Sequence, residues 1–338
     1  MRIAGLRWIF SSAAVQFVLV STSFRTYARV TLLANIVVIL WGAYVRASGS
    51  GAGCGDHWPA CDGVLIPASP SISTVIEFVH RVTSGLALLF VVGLFAQSRR
   101  TFASGHPARS AAAAALALIV IEALIGALIV RASLFGGNAT AARAATIALH
   151  SVNTMALLAA LSLSHWYSGN SAPLLRGRVD RIGVLMLIGF AGWLLLGATG
   201  ALGSLSRSLY PAASVVESLS REFAPDAPLL LRLRSLHPLV AGTMGVFMAG
   251  LAWLVHRRMH DRYVQQLAIS MTVIFCAQSV LGLLNVVSVV PTLTLQLTHL
   301  LLMDVLWLCF VQLFAMQRTA AMIGSVLPSQ RVAAVSAR

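Results

Sequence analysis

Lysine is absent from this 338-residue chain, so all 24 cationic side chains are arginines, and only 10 residues are acidic. Charged residues make up 10% of the sequence, against about 25% in a soluble globular domain. With 58% hydrophobic residues and a mean hydropathy of +0.85, that deficit excludes an ordinary soluble protein of one or two domains. Cysteine is scarce too. Four are too few for a disulfide scaffold, and Cys276 and Cys309, inside apolar runs, read as small buried hydrophobes. A formal charge of +14 would point to nucleic acid in a soluble chain. Here the arginines flank apolar runs, so the charge reports membrane orientation and no nucleic-acid partner is expected.

What the chain has instead is long apolar runs. Eight are long enough to cross a hydrocarbon core as helices: 30–47, 73–97, 111–131, 142–165, 182–203, 230–255, 265–287 and 292–316. With a cytoplasmic amino terminus, most arginines, among them Arg99, Arg100, Arg109, Arg257, Arg258 and Arg262, fall on the cytoplasmic side. The positive-inside bias therefore places both termini in the cytoplasm. The apolar segment 8–23 reads as non-spanning, such as a surface helix, because a further span there would carry the arginine-rich 99–109 and 257–262 loops outside.

The two halves repeat. Gly42 and Gly197, His80 and His237, Gly85 and Gly242, Glu122 and Gln278, and Gly126 and Gly282 are 155 to 157 residues apart, while His150 and His299 are 149 apart. Four spans per copy give both copies the same orientation, related by an axis along the membrane normal. The expected fold is an all-α integral membrane protein of eight transmembrane helices in two tandem, pseudo-twofold-related four-helix bundles. Its predicted parts are a cytoplasmic segment 1–29, a bundle 30–165, a linker 166–181, a second bundle 182–316 and a cytoplasmic tail 317–338.

Four of the nine histidines fall inside spans: His80, His150, His237 and His299, in the second, fourth, sixth and eighth. At 1.5 Å per residue they lie about 10–13 Å below the outer helix ends. Polar side chains at that depth are costly and usually face a bundle interior or a functional cavity. Interhelical hydrogen bonding is the plain reading for one such residue. Four at matching depth in a duplicated bundle fit axial ligation of haem iron, two imidazoles to each macrocycle. Zinc would call for further cysteine or carboxylate ligands.

The copies differ in charge. Glu77 lies three residues before His80 and so shares its helix face; the aligned residue in the second copy is Arg234. A carboxylate there can move protons or stabilise developing positive charge; alternatively, Glu77 pairs with Arg81. Arg81 and Arg234 are candidate partners for haem propionates. On this reading the first pocket is reactive and the second carries electrons. Glu122, at similar depth, has a role left open by its counterpart Gln278. Asp304 reads as bonded to a neighbouring span, and His57, His106, His165, His256 and His260 as solvated at the surface. Cys54 and Cys61 share the loop SGSGAGCGDHWPACDG on the oxidising side, where a disulfide is expected, structural or redox-active.

Over about 30–316 the sequence resembles the haem A synthases of bacterial membranes and mitochondria. The motifs are GAYVRASGSGAGC followed by WPAC, EFVHR with Glu77, His80 and Arg81, LHSVNT with His150, LHPLVAG with His237, and LTHLLLMD with His299. The resemblance implies oxidation of a methyl group of haem O to the formyl group of haem A, for haem-copper terminal oxidases, in a bacterial plasma (inner) membrane. It also implies haem O as substrate between His80 and His150, with Glu77 catalytic, and a resident haem b on His237 and His299. The haem O synthase, a protohaem farnesyltransferase, is a partner by pathway logic; the electron acceptor is unidentified, and a homo-oligomer in membrane lipid is compatible. Some relatives carry a second cysteine pair in the loop before the sixth span; 203–234 has none. The competing readings are a dihaem b-type electron carrier between quinone and an outer partner, and a thiol oxidoreductase using Cys54 and Cys61.

Overall fold

The computed structural model describes residues 12–171, 179–259, 261–288 and 292–336, with side chains over 22–171, 179–259, 261–288 and 292–320. Expectations about residues 1–11, 172–178 of the linker, His260 and Arg338 lie outside the described residues. Among the described residues ten α-helices follow one another: α1 Ser12–Ala47, α2 Ile72–Thr101, α3 Pro107–Arg131, α4 Ala141–Trp166, α5 Arg181–Leu209, α6 Val215–Glu222, α7 Leu229–Arg232, α8 Leu236–Arg258, α9 Arg262–Val287 and α10 Leu293–Ser336. A 3-10 turn, Leu233–Ser235, joins α7 to α8. Eight helical segments among the described residues are long and apolar enough to span a membrane, counting 229–258 as one.

Helix starts follow local chemistry. The Ser71, Thr140 and Asp180 side chains accept from backbone N–H groups at the starts of α2, α4 and α5, and Asp261 does the same for α9. Each oxygen satisfies donors that the first helical turn leaves free. Pro107 opens α3, where its missing N–H costs nothing.

Two expectations change. From residue 12 the segment read as separate and non-spanning is the amino-terminal part of α1, continuous with the first span; the chain between it and residue 30 holds no proline or glycine to break the helix. The sixth span is not one helix. It narrows to a 3-10 turn just before His237, because Pro238 has no N–H and its ring crowds the carbonyl four residues earlier.

Packing joins α1 to α2, α2 to α3, α3 to α4 and α4 back to α1; α5, α8, α9 and α10 close a second ring in the same way. The two rings meet where α4 packs against both α5 and α10, with α1 also against α10. Trp307 on α10 donates to the Met155 carbonyl on α4 at 2.8 Å, and Gln312 to the Ser162 hydroxyl at 2.6 Å. Bonds of this kind orient one apolar helix on another, since lipid gives apolar side chains no preference between neighbours. At the end away from Cys54, Gln317 on α10 donates to Asp180, the cap of α5. Cys276 is exposed on α9 and Cys309 is half-buried, so neither is the fully buried hydrophobe expected: apolar residues in a span face lipid as readily as protein.

Candidate functional site

The four span histidines are all half-buried and lie toward the helix ends nearest the Cys54 loop. Glycines on neighbouring helices back three of them. A Cβ at Gly42 on α1 would meet His80 Cε1 at 2.9 Å, one at Gly200 on α5 would meet His237 Cε1 at 3.0 Å, and one at Gly282 on α9 would meet His299 Cε1 at 3.1 Å. This corrects the repeat: the counterpart of Gly42 is Gly200, since Gly197 packs on Met155 Sδ of α4. The sequence offset alone could not separate two glycines one helical turn apart.

His150 is held differently. Gly126 on α3 has nothing within 4 Å of its would-be Cβ, and the neighbouring side chain is Glu122, whose Oε1 lies 3.3 Å from His150 Nδ1. Asn153 donates to Glu122 Oε2 at 2.5 Å, and the Thr154 hydroxyl donates to Oε1. The contact makes no hydrogen bond to Nδ1, but it puts a carboxylate charge beside the imidazole. In the second ring Gln278 instead donates to the His299 backbone carbonyl at 2.7 Å, leaving the imidazole alone. Sequence reading left Glu122 without a role. The signal was present in LHSVNT, which puts Asn153 and Thr154 one turn after His150, facing α3.

The His237 and His299 ring centres are 6.5 Å apart with planes at 79°. Two imidazoles binding one metal ion from opposite sides stand about 6.4 Å apart, given bonds of about 2 Å and a ring half-width of about 1.2 Å on each side. The spacing therefore fits a macrocycle metal held between them. The remaining Nδ1 atoms are lightly engaged: His237 Nδ1 is 3.4 Å from the Thr199 hydroxyl, and the Nδ1 atoms of His80, His150 and His299 make no hydrogen bond among the described residues. Among the described residues, no three or more His, Cys, Asp and Glu side chains converge as a tetrahedral metal site requires.

Glu77 is 4% exposed and serves two groups. Its Oε2 accepts from the Cys54 N–H at 2.9 Å, and its Oε1 accepts from Arg81 Nη2 at 2.5 Å and Nε at 3.2 Å. Arg81 also donates to the carbonyls of His57 and Ala60, both at 2.5 Å. The Glu77–Arg81 pair thus binds the 48–71 loop down over α2, and Cys54 and Cys61 are joined in a disulfide within it. Gly53 permits this closeness, since a Cβ there would come within 2.3 Å of the Ser73 carbonyl oxygen. The second ring reverses the charges. Arg234, at the Glu77 position, donates to Glu222 Oε2 at 3.0 and 3.1 Å and to the Ser218 hydroxyl at 2.6 Å, tying α6 down.

Asp304 is 4% exposed, and its Oδ2 makes no hydrogen bond among the described residues. His106, read as merely solvated, stacks on Phe102 at 4.4 Å and accepts the Ala108 N–H at 3.2 Å, capping α3.

Fold and site together define a polytopic helical membrane protein with a half-buried histidine on each of four alternate spans. The profile of the COX15-CtaA family, described as cytochrome oxidase assembly protein, matches residues 25–73 and 69–311, and the chain belongs to that family. A protein named protoheme IX farnesyltransferase from Thermus thermophilus is 43% identical over 286 residues, 84% of this chain and 47% of that protein. Heme A synthases from Alkalihalophilus pseudofirmus and Bacillus mycoides are 35% identical over 141 residues and 39% over 100; these cover 41% and 30% of this chain, and 45% and 32% of those proteins. The chain spans about half the length, or less, of these curated relatives.

Proposed function

We propose that this protein is a haem A synthase that oxidises a methyl group of haem O to the formyl group of haem A for haem-copper oxidases. The substrate lies between His80 and His150, and a resident haem b between His237 and His299. The observation that carries this reading is the unequal surroundings of two equivalent histidine pairs. Carboxylates of Glu77 and Glu122 stand at the first pair, whereas Arg234 and Gln278 occupy the matching positions at the second.

Counted with water as the oxygen source, converting a methyl to a formyl group adds one oxygen atom and releases four protons and four electrons to an external acceptor, so acid–base groups belong beside the substrate and not beside a one-electron carrier. Glu122 puts its charge beside His150 Nδ1. Glu77, buried beneath the disulfide loop, is placed to accept a proton, and Arg81 holds its carboxylate in position. The 48–71 loop shields that end of the pocket from water. His237 and His299 would hold the haem b, which would supply one-electron transfer toward an acceptor outside the chain. The likeness to about half of the Thermus protein, which carries a farnesyltransferase name, supports a functional link to the enzyme that makes haem O.

The test is co-expression with a protohaem farnesyltransferase, followed by mass analysis of extracted haems. Accumulation of haem A supports the assignment. Haem B as the only pigment, with haem O present in the membrane and left unconverted, favours a dihaem electron carrier.

A further inference from the structure

Arg81 and Arg234 each already hold a buried carboxylate, Glu77 and Glu222. Arg207, near the end of α5, does not. It is half-buried, and among the described residues its one hydrogen-bond acceptor is the backbone carbonyl of Asn285 on α9. A guanidinium has five N–H donors, so most of its capacity is unused. It lies one turn beyond Gly203 on α5, whose would-be Cβ is 4.0 Å from His237 Cβ, so its charge acts on His237 and His299 and also on Arg234. Among the described residues no contact joins the nearby acids to Arg207: Glu222 binds Arg234 through Oε2 and leaves Oε1 unpartnered, Glu217 pairs with Arg221 at 3.5 Å, and Asp226 is exposed beside Arg232. This corner of the second ring therefore carries one positive charge more than its carboxylates balance, and an uncompensated half-buried charge is costly.

We propose that Arg207 is the receptor for a propionate carboxylate of the macrocycle bound between His237 and His299. The proposal rests on the reading of the second ring as a haem site and adds how that site tells one edge of the macrocycle from the other. Guanidinium and carboxylate match in shape and charge, and their bond is strong where water is excluded. Arg207 thereby orients the propionate edge toward the disulfide end, while Arg234 holds α6 in place.

The experiment uses the full-length protein in detergent, stripped of pigment and titrated with ferric protohaem or with its dimethyl ester, which keeps the ring and removes both carboxylates. Wild type should bind the diacid about tenfold more tightly than the diester, as loss of a charge-assisted hydrogen bond implies. In Arg207→Leu the diacid should weaken about tenfold and the diester hardly at all, whereas Arg207→Lys should keep part of the preference. Wild type that binds both compounds equally overturns the proposal without reference to any variant. A Leu variant of unchanged diacid-to-diester ratio also overturns it. If wild type takes up neither compound, the haem reading of the second ring fails, and this proposal falls with it.

Discussion

At the scale of single residues, the closest control over chemistry lies in what stands behind or beside each imidazole. Glu77→Gln should preserve the acceptor for the Cys54 N–H and the side-chain size while removing the charge and the proton-accepting group. The variant is expected to fold and load haem, yet to form no haem A when haem O is supplied; a wild-type yield would leave Glu77 a loop anchor only. His106 offers a pH test away from the pocket. Burial pushes its pKa below the ordinary value, so its neutral ring caps α3. The unfolded chain takes the proton more readily, so the stabilisation is fully present above about pH 6.5 and is lost as pH falls through the lower folded-state value. His106→Ala should cost about 1 kcal/mol at neutral pH and flatten this acid limb, as read by thermal unfolding in detergent at several pH values. An unaltered acid limb would reject the cap.

At the scale of elements, the 48–71 loop and α6 are the two lids, each fastened by an Arg–Glu pair of opposite polarity. Polarity matters because the carboxylate in the first ring rides on the histidine helix itself, whereas in the second it comes from the lid. Arginine asymmetry predicts that the 48–71 loop lies outside the cytoplasm. After mild reduction, a membrane-impermeant thiol reagent should label Cys54 and Cys61 from the outer face of sealed cells; labelling only in inverted vesicles would reverse the orientation. Replacing both cysteines with serine removes a cross-link across a short loop. The expected loss is about 2 kcal/mol of stability, with α2 otherwise intact.

At the scale of the molecule, two helical rings meet where α4 packs against α5 and α10, and α4 and α10 each carry one histidine of their ring's pair. The contact of α4 with α10 therefore runs between the two proposed haem positions, with Trp307 and Gln312 of α10 fixing its alignment. If the pairs act as separate sites, His237→Ala or His299→Ala should abolish the low-spin haem signal of the second ring while leaving haem O uptake by the first. Retention of that signal in both variants would reject the assignment of the resident haem. Loss of both pigments together would mean that the rings load as one unit.

Membrane spanning, span number and the four histidines were legible in the sequence because each depends on composition along a single helix: apolar length and a costly polar residue at depth. The capping residues Ser71, Thr140, Asp180 and Asp261 rest on equally local chemistry but emerged only with the structure. The family resemblance came from the same short motifs. Tertiary structure decided whatever depends on neighbours from other helices. It put Glu122 behind His150, gave Arg81 and Arg234 their carboxylates, left Arg207 without one, and chose Gly200 over Gly197 as the seat of His237. Those choices follow from rotation and crossing of packed helices, where a shift of one turn exchanges one partner for another. Periodicity along one chain leaves that rotation open.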